Sequence, residues 1–226
     1  MSLFFRAFIE LIFPKLCWGC KKELSFHSNG LCLACEFSLP YIYFKGNYLL
    51  DISSELIPPL ELKKVFALYY FYEGGRIEKM LYETKYQGIQ TISIYFGKKL
   101  AAHILQQKWS FDGIIGVPLH KKRKRKRGYN QVDLIGQTAA NLLSIPYFGT
   151  LIERIKNTPM LSLIKGNRVH IVKDAFRLNR KVTLKQGHYL LIDDIFTTGA
   201  TLKACAMTME NLSGLELSIA TICCRS

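Results

Sequence analysis

Acidic residues are scarce in this chain: 17 Asp and Glu stand against 31 Lys and Arg, a formal net charge of +14 over 226 residues. So few carboxylates leave little to repel a polyanion, and the excess predicts attraction to nucleic acid, phosphorylated metabolites or an anionic membrane. Long uncharged apolar runs are missing too. The segment Met1–Cys17 is apolar, but Arg6 and Glu10 interrupt it and Pro14 with Lys15 ends it. A bilayer span needs roughly 20 apolar residues, and no small-residue cleavage site follows as a signal peptide would require. The segment reads as a short helix docking its apolar face on the rest of the protein, with membrane-surface contact as the alternative. An even cysteine count is lacking: there are seven, and Cys223 and Cys224 are adjacent. That fits poorly with a secreted disulfide framework and predicts a reducing, cytoplasmic setting. Cys205, Cys223 and Cys224 read as small buried hydrophobes. There is no internal repeat and no low-complexity segment beyond one basic run. With 49% hydrophobic residues the chain can form a real core, and disorder is excluded as its general state.

What is present falls into three parts: an N-terminal helix and cysteine-bearing module over residues 1–40, a connector over 41–64, and a larger unit over 65–226. In the last, elements alternate. Val65–Tyr72, Gly113–Val117, Tyr147–Ile155, Tyr189–Ile192 and Leu215–Ile222 read as strands, from β-branched and aromatic content or short apolar runs. Arg76–Tyr86, Ile92–Gln107, Asn130–Leu143 and Ala200–Leu212 have helical spacing, and 157–173 is polar and mostly irregular. The alternation predicts an α/β fold, a mainly parallel sheet with helices on both faces.

The most informative stretch is Leu191–Thr201, LIDDIFTTGAT. In α/β sheets ligands gather at the carboxyl ends of strands. Asp193 and Asp194, placed there, can accept hydrogen bonds from two neighbouring hydroxyls such as those of a ribose, and favour a nearby Mg²⁺. Thr197, Thr198, Gly199, Ala200 and Thr201 then open onto a helix, whose N-terminal N–H groups suit a phosphate. The plainer alternative is a capped βα turn, since Thr and Asp are good caps. At the other end, Cys17-Trp18-Gly19-Cys20 and Cys32-Leu33-Ala34-Cys35 are two knuckles with eleven residues between them. Each turn can aim two thiolates at one ion, and together they complete a tetrahedral, closed, structural zinc site. Free thiols or a dithiol pair is the alternative. So small a module would depend on metal to fold.

The basic run is Lys121, Lys122, Arg123, Lys124, Arg125, Lys126 and Arg127, following Pro118, Leu119 and His120 and preceding Tyr129. A solvated surface is the ordinary reading of such a run. If the segment is helical, Arg123 and Arg127 share a face. For His120 the plain reading is a surface histidine.

LIDDIFTTGAT resembles the fingerprint of type I phosphoribosyltransferases. The resemblance implies that Asp193 and Asp194 hold the ribose hydroxyls of phosphoribosyl pyrophosphate (PRPP), with magnesium. Thr197–Thr201 would cradle the 5-phosphate, and Asp194 would be the residue for proton handling if chemistry occurs. Val117–Gln131 resembles VPLH-x-x-R-x-x-x-R-G-[FY]-N-Q, and Lys85, Tyr86 and Gly88 a K-[FY]-x-G element. Arg168, Ala175 and Phe176 resemble part of R-x-x-N-x-x-G-A-F, with Ile171 at the usual Asn, Asp174 at the usual Gly and Leu161 in place of a Gln. With the zinc knuckles, this order is similar to that of the ComF family. The resemblance covers nearly the whole chain and implies a phosphoribosyltransferase-like fold. It places Pro118, Leu119 and His120 on the pyrophosphate side and the 65–88 region where an acceptor-covering hood would lie, while Arg123 and Arg127 could reach a polyanion that is either this pyrophosphate or a DNA backbone. It further implies a cytoplasmic role in natural transformation on single-stranded DNA, through Lys121, Lys122, Lys124, Arg125, Lys126 and Tyr129, alongside partners such as a helicase-like ATPase. A working phosphoribosyltransferase with an unidentified acceptor, a PRPP sensor, and a GntX-like metabolic role remain the alternatives.

Overall fold

The computed structural model describes residues 14–24, 30–42, 62–156 and 175–225. The expected N-terminal helix and the loop carrying Leu161, Arg168, Ile171 and Asp174 lie outside them. Helix α1 (Leu33–Phe37) belongs to the cysteine module. Strand β1 (Leu62–Phe71) follows, then α2 (Arg76–Tyr86), α3 (Gln90–Gln106), β2 (Gly113–Gly116), α4 (Lys121–Arg127) and α5 (Gln131–Leu143). A short hairpin, β3 (Ile152–Arg154) and β4 (Phe176–Leu178), precedes β5 (Gly187–Phe196), α6 (Ala200–Thr208) and β6 (Leu215–Arg225).

The principal sheet has four strands in the order β1-β6-β5-β2, all parallel, as the alternation predicts. Side chains alternate faces along a strand, and the core divides accordingly. Phe66, Leu68, Ile114, Leu190, Ile192, Ala220 and Ile222 pack with α2, α3 and α5 through Met80, Phe96, Leu100 and Ile135. Val65, Ala67, Ile115, Leu191, Leu217 and Ile219 pack on the opposite side with Leu202, Cys205 and Met209 and with the hairpin's Ile152 and Phe176. The three C-terminal cysteines are buried, as expected.

Two differences from the sequence reading matter for the site. The strand expected over Tyr189–Ile192 runs on to Phe196, so Asp193 and Asp194 lie within β5. The reason is tertiary: β6 continues to Arg225 and pairs Asp193 with Thr221 and Ile195 with Cys223, so the ladder overrides the weak strand propensity of aspartate. The strand expected over Tyr147–Ile155 is broken into a single bridge from Tyr147 to Ile114 and the three-residue β3, which pairs antiparallel with β4.

The cysteine module is clamped to the sheet's helical layer. Cys17, Leu31, Cys35 and Leu39 belong to the same core as Phe96. Trp18 meets Tyr95 edge to face at 5.9 Å. Glu36 accepts from the Tyr95 hydroxyl at 3.0 Å and pairs with Lys99, and Lys21 pairs with Glu83 of α2. Among the described residues no helix is long and apolar enough to cross a membrane.

Candidate functional site

Asp194 is 5% exposed. Its Oδ2 receives Lys85 Nζ at 2.6 Å and the Gln131 side-chain amide at 2.8 Å. Burial by itself raises a carboxyl's pKa, but the Lys85 ammonium overrides it and holds Asp194 below the usual carboxylate range. Lys85 answers in kind: burial would lower it, and Asp194 raises it. Asp193 behaves oppositely. Burial, and then the neighbouring Asp194 charge, push it up to about 7, although its Oδ1 accepts the Asp194 backbone N–H at 2.8 Å. The pair therefore splits into one anchored carboxylate and one carboxyl that exchanges its proton near neutrality, the pattern by which environments separate two acids. Both contacts on Asp194 Oδ2 favour its charged form.

After Phe196 the chain turns through exposed Thr197 and Thr198 into α6. Gly199 is the N-cap at φ +66°, a left-handed conformation that suits glycine, and no side chain caps the helix. Thr201 sits buried in the first turn.

The loop after β2 runs alongside. Val117 N–H donates to the Ile192 carbonyl at 3.0 Å, so Pro118–His120 leave the sheet level with the aspartates. His120 caps α4, its Nδ1 accepting the Lys122 N–H at 3.2 Å. Burial, then the nearby Arg154 charge, lowers its pKa, so the ring is neutral at pH 7. The basic run is helical, and its two faces are unequal. Lys121, Lys122, Lys124, Arg125 and Lys126 are exposed while Arg123 and Arg127, four apart, are half-buried against the body. Arg127 lies over the Tyr86 ring at 5.5 Å and donates to Gln131 Oε1 at 3.2 Å.

The residues after the run tie the site together. The Tyr129 hydroxyl donates to the Thr84 carbonyl of α2. Asn130 Nδ2 donates to the Val117 carbonyl at 3.2 Å while its Oδ1 caps α5 at Val132. Gln131 holds Asp194. Tyr129 itself is half-buried, with its hydroxyl engaged. Two cations were missed as site residues. Lys85 appeared in the sequence only as part of a short element, and Arg154 gave no signal. Arg154 lies near enough to Asp193 and Arg123 to feel both charges, and it stacks over Phe176 at 5.4 Å. Neither is adjacent in sequence to what it faces, so only the fold brings them together.

At the other end, the Sγ atoms of Cys17, Cys20, Cys32 and Cys35 lie within 4.8 Å of one another, with Cys20 to Cys32 at 3.8 Å. The edge of a tetrahedron with Zn–S bonds of ~2.3 Å is about 3.8 Å, so the donor set fits zinc. Burial works against a thiolate at Cys17, yet backbone N–H groups, that of Cys32 foremost at 3.3 Å, lower it to about 6. Cys35 is pushed up to about 12, chiefly by burial. Gly30, at φ +91°, lets the chain cross the Trp18 ring, where a Cβ would sit 2.1 Å from a ring carbon.

No protein-family model matches the chain. Competence protein F of Haemophilus influenzae is 27% identical over 216 residues, spanning 90% of this chain and 94% of that protein. DNA utilization protein YhgH of Salmonella typhi is 25% identical over 232 residues, spanning 94% and 98%. The chain is a homologue of Competence protein F and YhgH. In both comparisons the likeness extends over most of the chain. Among solved structures, adenine phosphoribosyltransferase from Thermoanaerobacter pseudethanolicus is 15% identical, with 78% of this chain and 99% of that chain covered and a TM-score of 0.41. The Saccharomyces cerevisiae enzyme is 17% identical, with 61% and 69% covered and a TM-score of 0.37.

Proposed function

We propose that this protein binds PRPP or a closely similar 5-phosphoribosyl ligand and acts in DNA uptake, handling single-stranded DNA on its basic surface. One observation carries the reading. The carboxylate pair lies near the end of β5 and is followed directly by the start of α6, the loop at His120 leaves β2 level with it, and Lys85, Arg127 and Arg154 surround the carboxylates. That is an arrangement for an anionic sugar. In this reading Asp193 takes the ribose hydroxyls, Asp194 acts through Lys85 and Gln131 to fix its position, and Thr197–Thr201 hold the 5-phosphate. Arg123, Arg154 and neutral His120 face the pyrophosphate. Bound magnesium would neutralise pyrophosphate charge, with Asp193 the carboxylate placed to favour it. The closed four-cysteine set holds structural zinc. The DNA role follows the names of the relatives, competence and DNA utilization, and the exposed side of α4 supplies the cations for it. A second reading, an active phosphoribosyltransferase with an unidentified acceptor, is favoured by Asp193, whose pKa of about 7 suits a general acid or base near neutral pH.

The test is thermal. PRPP with Mg²⁺ at 100 times its Kd stabilises the folded state by about 2.7 kcal/mol. Asp193→Asn with Asp194→Asn is expected to lose that shift. Equal shifts in both proteins would move the sugar site elsewhere.

A further inference from the structure

Helix α2 carries two tyrosines that nothing in the fold requires to be outside. Tyr82 is 53% exposed and Tyr86 63%. One helical turn apart, their rings lie 4.7 Å between centroids at 39°. On the same helix Ile77, Met80 and Leu81 face the core, so the pair is the solvent side of an otherwise well-packed element. A large ring left in water forgoes its burial free energy, and a contiguous pair is an unusual thing to expose.

The surroundings say what chemistry suits the rings. The Arg127 guanidinium covers part of Tyr86 at 5.5 Å. From Arg127 the exposed cations of α4 lead away in one direction. In the other, Arg127 reaches Gln131, and Gln131 reaches Asp194. The tyrosine pair thus stands at the junction of the basic helix and the carboxylate site. The carboxylates of α2 are otherwise occupied: Glu83 pairs with Lys21, and Glu78 accepts the Gly74 N–H at 2.6 Å. An aromatic face beside a row of cations matches a polymer that alternates flat bases with phosphates.

We propose that Tyr82 and Tyr86 form a base-stacking platform for single-stranded nucleic acid, on which successive bases lie while the backbone phosphates run along α4. The platform rests on the single-strand reading above and assigns the stacking duty to α2. Stacking tolerates any base, because every base has a π-face, so the platform adds affinity without sequence preference. Arg127, already over one ring, extends the stack with a planar cation.

The experiment compares two strands of about 15 nucleotides, within the site size of known single-strand grooves: one of mixed sequence carrying 2-aminopurine, the other an abasic deoxyribose-phosphate strand. The wild-type chain is expected to bind the base-bearing strand about ten-fold more tightly than the abasic one and to quench the 2-aminopurine. Tyr82→Ala with Tyr86→Ala should erase that difference and the quenching, while leaving the abasic affinity unchanged. Tyr82→Phe with Tyr86→Trp should keep both. Equal wild-type affinity for the two strands overturns the platform alone. Failure to bind either strand overturns the single-strand reading and the platform with it. Concentration-dependent self-association lost in the alanine variant, with strand binding intact, hands the surface to a second copy of the chain and also overturns the proposal.

Discussion

Asp193→Asn should make the ligand-free protein more stable. The side chain sits beside the Asp194 carboxylate, where burial and that charge raise it from the ordinary value of 3.8 to about 7. Between those values the folded protein keeps a proton the unfolded chain has shed. Stability from this group is therefore complete below about pH 4, declines as pH rises towards 7, and is level above. The rise is about three units, and at about 1.4 kcal/mol per unit the ceiling is about 4 kcal/mol. Partial access to water screens the charge and brings the working range to about 1–3 kcal/mol. Asparagine removes the charge but keeps an oxygen to accept the Asp194 N–H, so the local bond at 2.8 Å survives. For a chain of this length each kcal/mol moves the Tm by about 2–4 °C, so the variant should melt about 2–12 °C higher at pH 8. Scanning calorimetry from pH 4 to 8 reads it directly. The gap between variant and wild type should open up to pH 7 and then stay constant. A gap that is absent, or independent of pH, would refute the placement of a strained carboxyl at residue 193.

Purified protein should contain about one zinc per chain by elemental analysis, and Cys32→Ser with Cys35→Ser should remove it; unchanged zinc would dismiss the four-cysteine assignment. Single-strand affinity should fall with salt at a log–log slope of about −3, for four to five cations engaged. Replacing Lys122, Lys124, Arg125 and Lys126 with Ala should flatten it and spare PRPP binding, because Arg123 and Arg127 face inward. An unchanged slope would place the DNA surface elsewhere.

Much of this was legible in the chain itself, and the exceptions share a cause. Arg76–Tyr86 was readable to the residue because its apolar spacing is local and a glycine precedes it. The four-cysteine cluster was readable because knuckle spacing fixes geometry over four residues. The reach of β5 was not: two aspartates inside a strand look like a loop until β6 is alongside to pair them. Lys85 and Arg154 were invisible as site residues because each acts on a residue far along the chain, and no periodicity encodes such a meeting. The exposed tyrosines look, in sequence, like any helical aromatics; only packing shows which face they occupy.

The short bridges at the sheet's margins have a consequence for solubility. On one flank the stretch leaving the cysteine module lies antiparallel to β1, with Ile42 N–H donating to Leu68 and Tyr70 N–H to Pro40. On the other, Phe148 N–H donates to Ile114, and Ile114 N–H to Pro146. Each caps part of a strand that would otherwise present unpaired amides to the next molecule, the usual seed of edge-to-edge association. A chain trimmed to begin at Leu62 would lose the backbone bonds that Pro40 and Ile42 make along the edge of β1 and bare its aromatic run.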